Sequence, residues 1–221
     1  MADNPHPPDP HDPGRFGEWR PMPPHEVAHL FAALAAPWWI AGGWAIDLFL
    51  GTSTRAHEDI DVQVARRDQA AVRALLRGWD VQEAGHPTTP PNDWPFREWR
   101  PNATLSPDIH DVWCRPTAGA PWALQLMVAE LTGTDWVFRR DSRIRRPITT
   151  LGLGTADGIP YLAPEIQLLY KAKAPRPKDE ADFSNALPFL DSARRQWLAD
   201  ALLLAHPDHP WLARLGAETG H

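Results

Sequence analysis

The chain has a single cysteine, Cys114, which excludes an internal disulfide and any zinc site built on several thiolates. A reducing, cytoplasmic setting is the natural expectation from that cysteine usage. It also lacks an excess of basic charge: 22 Lys and Arg stand against 28 Asp and Glu, for a net charge of −6. That balance argues against a general nucleic-acid binder, which carries a basic face, and suits a cationic or neutral small-molecule partner. No uncharged apolar run of ~20 residues is present to cross a membrane. The most apolar stretch, residues 27–50, is broken by His29, Pro37, Gly42, Gly43 and Asp47. The opening "MADNPHPPDPHDPGRFGEW" has no basic start followed by an apolar core, so a secretory signal is not expected. No internal repeat is evident.

Proline and tryptophan are present in quantity, 25 and 12 residues. The prolines gather at 5–24, 87–101 and 116–121 and mark tail or loops. Residues 1–22 read as a poorly ordered tail. The rest is long enough for a real core. Its pattern is a mixed α/β front part, residues 23–158, followed by a small helical part, residues 159–221. In the front, "PHEVAHLFAALAA" spaces Val27, Leu30, Phe31 and Leu34 as one helix face, which Pro37 stops. "WWIA" reads as a buried strand, and "WAIDLFLG" as a short helix closed by Gly51. "DIDVQVA" alternates as a strand, with Asp59, Asp61 and Gln63 on one face and Ile60, Val62 and Val64 on the other. "RRDQAAVRALLRGW" is a second amphipathic helix and "DVQEAG" a strand. A proline-rich loop over 86–107 precedes "DIHDVWC" and "WALQLMVAE", two strands, and "TDWVFRR" extends the sheet toward a basic segment. From Pro164 the pattern is helical, in "PEIQLLYKAKA", "KDEADFSNALPFL" and "SARRQWLADALLLA".

The chemistry concentrates in "AGGWAIDLFLGTSTRAHEDIDV", residues 41–62. On a strand, residues two apart project from the same face roughly 6–7 Å apart. Two carboxylates so held, Asp59 and Asp61, repel unless a cation lies between them. Hard oxygen donors call for Mg²⁺ completed by phosphate and water. Gly42 and Gly43, between strand and helix, let backbone N–H groups approach a phosphate. Arg55 can neutralise a phosphate oxygen and Thr54 can donate to one.

This combination resembles the nucleotidyltransferase superfamily that includes DNA polymerase beta. The finer string "GGWAIDLFLG…TRAHEDIDV" is similar to the aminoglycoside 2''-adenylyltransferases and lincosamide nucleotidyltransferases, closely over residues 38–66 and loosely elsewhere. The resemblance implies a mixed sheet flanked by helices with a C-terminal helical domain. It implies Mg²⁺ on Asp59 and Asp61 and a nucleoside triphosphate, most simply ATP, held by Gly42 and Gly43. Asp47, Thr54, Arg55 and His57 come with the motif as nucleotide-site positions. The implied reaction moves AMP to a hydroxyl of a small acceptor, such as an aminoglycoside-like antibiotic.

The superfamily also uses a third acid on a neighbouring strand, as metal ligand or as base for the acceptor hydroxyl. Its expected place in "WALQLMV" holds Gln125, which can hydrogen-bond a hydroxyl but cannot take its proton. Asp111 on the adjacent strand and Glu130 at the end of the Gln125 strand are the two substitutes. Glu58 points away from its neighbour Asp59 on the expected strand. In the helical part, Lys171 and Lys178 are candidates for a triphosphate contact by resemblance, while Asp179 and Glu180 suit a helix first turn. Trp94 and Trp99 are the aromatic candidates for substrate contact. Gln125 leaves two other functions open: a nucleotide-binding protein without transfer activity, or a toxin-like transferase acting on protein or RNA.

Overall fold

The structure is a computed structural model that describes residues 16–85 and 96–216. One ten-stranded sheet forms the frame, in the order β4-β3-β5-β6-β2-β1-β10-β9, with β7 pairing β6 and β8 pairing β7. The strands are β1 (Trp38–Ala41), β2 (Asp61–Ala65), β3 (Asp80–Ala84), β4 (Phe96–Glu98) and β5 (Asp111–Arg115), then β6 (Leu124–Thr132), β7 (Asp135–Val137), β8 (Arg145–Pro147), β9 (Gly152–Gly154) and β10 (Pro160–Leu162). The helices are α1 (Pro24–Phe31), α2 (Gly42–Leu50) and α3 (Gln69–Leu75), then α4 (Pro164–Lys171), α5 (Pro177–Ala186), α6 (Ser192–Ala205) and α7 (Trp211–Gly216).

Local chemistry accounts for these elements. α2 starts at the glycines rather than after them and closes on Gly51, whose φ of 70° is left-handed, with its N–H donating to Asp47 O. α4 opens on Pro164 and α5 on Pro177, where a missing N–H costs nothing. α6, which opens on Ser192, is capped by Asp191, whose side chain accepts the Arg194 N–H at 2.8 Å. In β2, Val62 and Val64 are buried as the alternation predicts.

Register fixes what faces what. β2 runs antiparallel to β1, Ala41 opposite Asp61, and parallel to β6, Asp61 opposite Gln125. β5 is antiparallel to β6, with Trp113 opposite Gln125 and Asp111 opposite Met127. Asp61, Gln125, Met127 and Asp111 therefore share one face of three adjacent strands.

Several expectations are corrected. Asp59 lies in the loop before β2, not on it, so the two aspartates are not strand neighbours on one face. Residues 16–22, expected in the tail, lie along the 122–123 segment: Arg20 and Met22 donate to Trp122 O and Ala123 O, and Trp122 donates to Glu18 O. Phe16 and Trp19 pack there with Trp113, Trp122 and Phe96. The described end of the proline-rich loop forms β4. Trp99 is buried at 1% exposure and donates its indole N–H to Ala103 O, which makes it a core residue and not a substrate contact. Trp94 lies outside the described residues. The sheet also takes in β10, beside β1, within the part expected to be helical. Among the described residues no helix is long and apolar enough to cross a membrane.

Candidate active site

A cavity of about 270 Å³ opens where the N-terminus of α2, the start of β2, β6 and helices α4 and α5 meet. Gly42 and Gly43 form one wall, and their lack of a Cβ is structural. Gly42 has φ of 67°, and a Cβ there would run into the Asp61 carboxylate. At Gly43 a Cβ would collide with the Arg55 guanidinium and lie 2.7 Å from the His57 ring. The Gly42 N–H donates to Gln167 Oε1 at 2.8 Å, so it serves the protein rather than a phosphate. Gly43 sits in the first helical turn, where N–H groups have no acceptor in the helix.

Asp59 and Asp61 also line the cavity. Burial pushes the Asp61 carboxyl well above the usual carboxylate range, the charges of Asp59 and Asp111 push it further, and Lys171 and Lys178 pull it back. Asp111 accepts a hydrogen bond from Gln125 Nε2 at 3.2 Å. Burial raises its carboxyl too, against the lowering charges of Arg139 and His110, the Gln125 hydrogen bond and the charge of Arg140. Of the two substitute acids, the fold brings in Asp111 and excludes Glu130. Glu130 is one residue out of phase with Gln125 and Met127, so it points to the opposite face, where it pairs with Arg66.

Asp47, Thr54 and His57 form a knot beneath the site. Asp47 is 3% exposed. Its carboxylate accepts from Thr54 Oγ1 at 2.6 Å and Thr54 N–H at 3.1 Å, and contacts His57 Nε2 at 2.6 Å. The His57 ring stacks on Trp44 at 4.4 Å. The motif positions expected at the nucleotide thus hold the 52–60 loop in place, and only Arg55 of this group reaches the cavity.

Among the described residues the cavity wall carries seven basic and three acidic side chains, a local excess opposite to the chain's net charge of −6. Arg55 hydrogen-bonds both Asp182 oxygens at 3.3 Å. Lys171 lies 2.9 Å from Asp179 Oδ1 and 2.8 Å from Asp182 Oδ2. Arg176 meets Asp179 at 2.8 Å, and Lys178 lies 3.9 Å from the exposed Glu58. Lys171 and Lys178, named from the sequence, are both in the wall. Arg139, Arg140, Lys173, Arg176, Gln167 and Tyr170 line it as well and were not singled out. The basic run after "TDWVF" and the "PRP" linker were the available signals.

Among the described residues no three His, Cys, Asp or Glu side chains form a metal-holding group. The donor set nonetheless fits Mg²⁺, which keeps several waters and takes one or two carboxylates plus substrate phosphate. Asp61, buried among like charges, is the group a divalent cation would relieve.

The sheet, the glycine-bounded helix and the aspartates that follow define a nucleotidyltransferase-type α/β fold. Two solved structures share it. One is the solution structure of the antibiotic-resistance factor ANT(2'')-Ia: TM-score 0.51, 20% identity, covering 80% of this chain and 88% of that one. The other is the crystal structure of ANT(2'')-Ia with adenylyl-2''-tobramycin: TM-score 0.50, 18% identity, covering 80% and 93%. The profile of the family described as aminoglycoside-2''-adenylyltransferase matches residues 25–91. The 2''-aminoglycoside nucleotidyltransferases of Escherichia coli and Klebsiella pneumoniae are 45% identical over 40 residues, 18% of this chain. The chain spans 23% of the length of these curated relatives. The family resemblance read from the motif is therefore found again over the segment that carries it.

Proposed function

We propose that the protein is a Mg²⁺-dependent nucleotidyltransferase that moves AMP from ATP to a hydroxyl of a small molecule and releases pyrophosphate. The observation that carries this reading is the gathering of Asp59, Asp61 and a cation-rich wall on one cavity, with Asp111 on the same sheet face, opposite the wall residue Met127. Asp59 and Asp61 would hold Mg²⁺. Bound there, the ion supplies charge neutralisation on the phosphates and alignment of the reacting groups. Arg55, Lys171, Arg176 and Lys178 would bind triphosphate oxygens, and the Gly43 N–H would approach one of them. Asp111 would take the acceptor proton. Burial raises its carboxyl above the ordinary value, the direction that makes a stronger base. The acceptor oxygen bonds to the α-phosphorus, the bond from that phosphorus to the β-phosphate oxygen breaks, and the proton goes to Asp111.

Gln125 alone favours a nucleotide binder without transfer. The nearness of Asp111 favours transfer instead. The names of the matched relatives make aminoglycosides the first acceptors to try. The test is incubation with Mg²⁺ and each labelled nucleoside triphosphate against aminoglycosides, lincosamides, cell metabolites and lysate protein and RNA. Labelled AMP on a small molecule supports the reading, label on a macromolecule would redirect it, and failure to bind any triphosphate would sink it.

A further inference from the structure

Gln167 is 3% exposed and lines the cavity, so the part of it that is open opens there. It stands in the first turn of α4, where its own N–H donates to Ala163 O at 3.1 Å. The side chain reaches across to α2, and its Oε1 accepts the Gly42 N–H at 2.8 Å. A backbone N–H can only donate, so this bond decides which end of the amide faces the glycine. Nε2, with its two hydrogens, is turned the other way. Among the described residues it donates to no protein acceptor, and it is not sealed in the interior. The cavity is the space its hydrogens face.

The neighbours of that amide set its place in the site. Gly42 lies against Asp61, since a Cβ on the glycine would run into the Asp61 carboxylate. Gln167 therefore stands one hydrogen bond from the residue that packs on Asp61, and Tyr170 and Lys171 follow it on the same helix in the same wall. Arg55, Lys171, Arg176 and Lys178 each lie near a carboxylate that competes for them. The Gln167 NH₂ has no such competitor, and the Gly42 bond holds its direction.

We propose that Gln167 Nε2 donates to a non-bridging phosphate oxygen of the bound triphosphate, so that one side chain both clamps the glycine wall and binds the nucleotide. This rests on the nucleotidyltransferase reading above. A phosphate oxygen near Asp61 is a charged acceptor, and a hydrogen bond to it is shorter and stronger than one between neutral groups. A neutral, oriented donor adds direction to a wall whose other side-chain donors act mainly through charge. The Gly42 N–H is held inside the protein by Oε1, and the other end of the same amide takes its place at the phosphate.

The test is calorimetric binding of α,β-methylene-ATP with Mg²⁺, and separately of inorganic tripolyphosphate, to the full chain and two variants. Gln167→Met keeps the length but removes donor and acceptor alike. Its Tm should fall, and both probes should bind about tenfold more weakly, the lower end of what a hydrogen bond to a charged group contributes. Gln167→Glu keeps an oxygen for the Gly42 N–H at the start of α2, a place that favours negative charge, so its Tm should stay above that of Gln167→Met. Ionised, it has no donor and repels phosphate, so at about pH 8 both probes should weaken by more than tenfold. That deficit should shrink as the pH falls and the carboxyl regains a proton to donate. Affinity in either variant equal to that of the unaltered chain would overturn the proposal and leave Gln167 a clamp alone. A deficit with α,β-methylene-ATP but not with tripolyphosphate would also overturn it, by placing the amide at the nucleoside. Binding of tripolyphosphate but not of the nucleotide, with the same deficit in Gln167→Glu, would support the phosphate donor and defeat the nucleotidyltransferase reading. A chain that binds neither probe defeats both.

Discussion

Gln125 Nε2 donates to Asp111 Oδ1 at 3.2 Å across the β5–β6 ladder, offset by one step from the pair Asp111–Met127. The amide thus supports an acid instead of replacing one. Replacing Asp111 by Asn should lower kcat by about 10²–10⁴-fold, the usual contribution of a positioned general base, with a much smaller change in the KM for ATP. Gln125→Glu should not add activity. It sets a carboxylate against Asp111, and like charge raises its pKa. The base form is then reached only at higher pH, so the acid limb of the kcat/KM profile should move upward. A profile that moves downward, or a Gln125→Glu enzyme several-fold faster at neutral pH, would show that the acid belongs at position 125.

The Asp47 knot makes a second expectation. Asp47→Ala leaves the Thr54 N–H and the buried His57 ring without their acceptor, which costs about 1–3 kcal/mol for unsatisfied buried groups. Because the same loop presents Arg55 and Asp59, the KM for ATP should rise as Tm falls. A variant with lowered Tm and an unchanged KM would separate the knot from the site.

How much of this could be read from the chain alone follows from the range of each interaction. Gly42, Gly43 and Asp61 are legible because they lie within about twenty positions and their roles are set by local geometry: a left-handed φ, a helix start and a strand start. Asp59 was misplaced by the alternation, which continues one turn of pleat beyond the last ladder bond. Asp111 and Glu130 could not be distinguished beforehand. Each is a strand acid, and only the β5–β6 register and the parity along β6 put one in and the other out. Asp47 and His57 were legible as motif positions but not as partners of each other, since ten residues of helix and loop separate them. Gln167 and Arg139 come from distant segments whose local sequences are those of an ordinary helix and turn, so only the assembled fold brings them to the wall. Net charge misled for the same reason, as it averages over surfaces that face different things.

The two glycines make different demands from a third. Gly42→Ala combines a left-handed φ with a Cβ against Asp61, and Gly43→Ala drives one into Arg55 and His57. Gly51→Ala shares the left-handed φ, 70°, but its Cβ would enter open space. Gly51→Ala should cost about 1–2 kcal/mol in denaturant unfolding, the price of a left-handed L-residue, with kinetics unchanged. Gly42→Ala should exceed that cost and also abolish most transfer by displacing Asp61. Equal kinetic effects in Gly42→Ala and Gly51→Ala would mean that the close approach to Asp61 has no function.

Asp179 links stability to acidity. Burial would raise its carboxyl, but hydrogen bonds from Arg176 and the charge and hydrogen bond of Lys171 outweigh that and hold it at about 2. The ordinary value for an unfolded aspartate is ~3.9. A folded pKa below the unfolded one means that the unfolded chain binds the proton more readily. The stabilisation is therefore complete above the unfolded value and fades as the pH falls through the window down to about 2. Asp179→Asn should lower stability at neutral pH and flatten the loss of stability between roughly pH 4 and 2, measured by urea unfolding at a series of pH values. Since Lys171 keeps Asp182 as a partner at 2.8 Å, the variant should retain triphosphate binding better than Asp182→Asn, which releases Arg55 and leaves Lys171 with Asp179 alone. An Asp179→Asn protein whose acid unfolding matches that of the unaltered chain would place the low pKa outside the folded state.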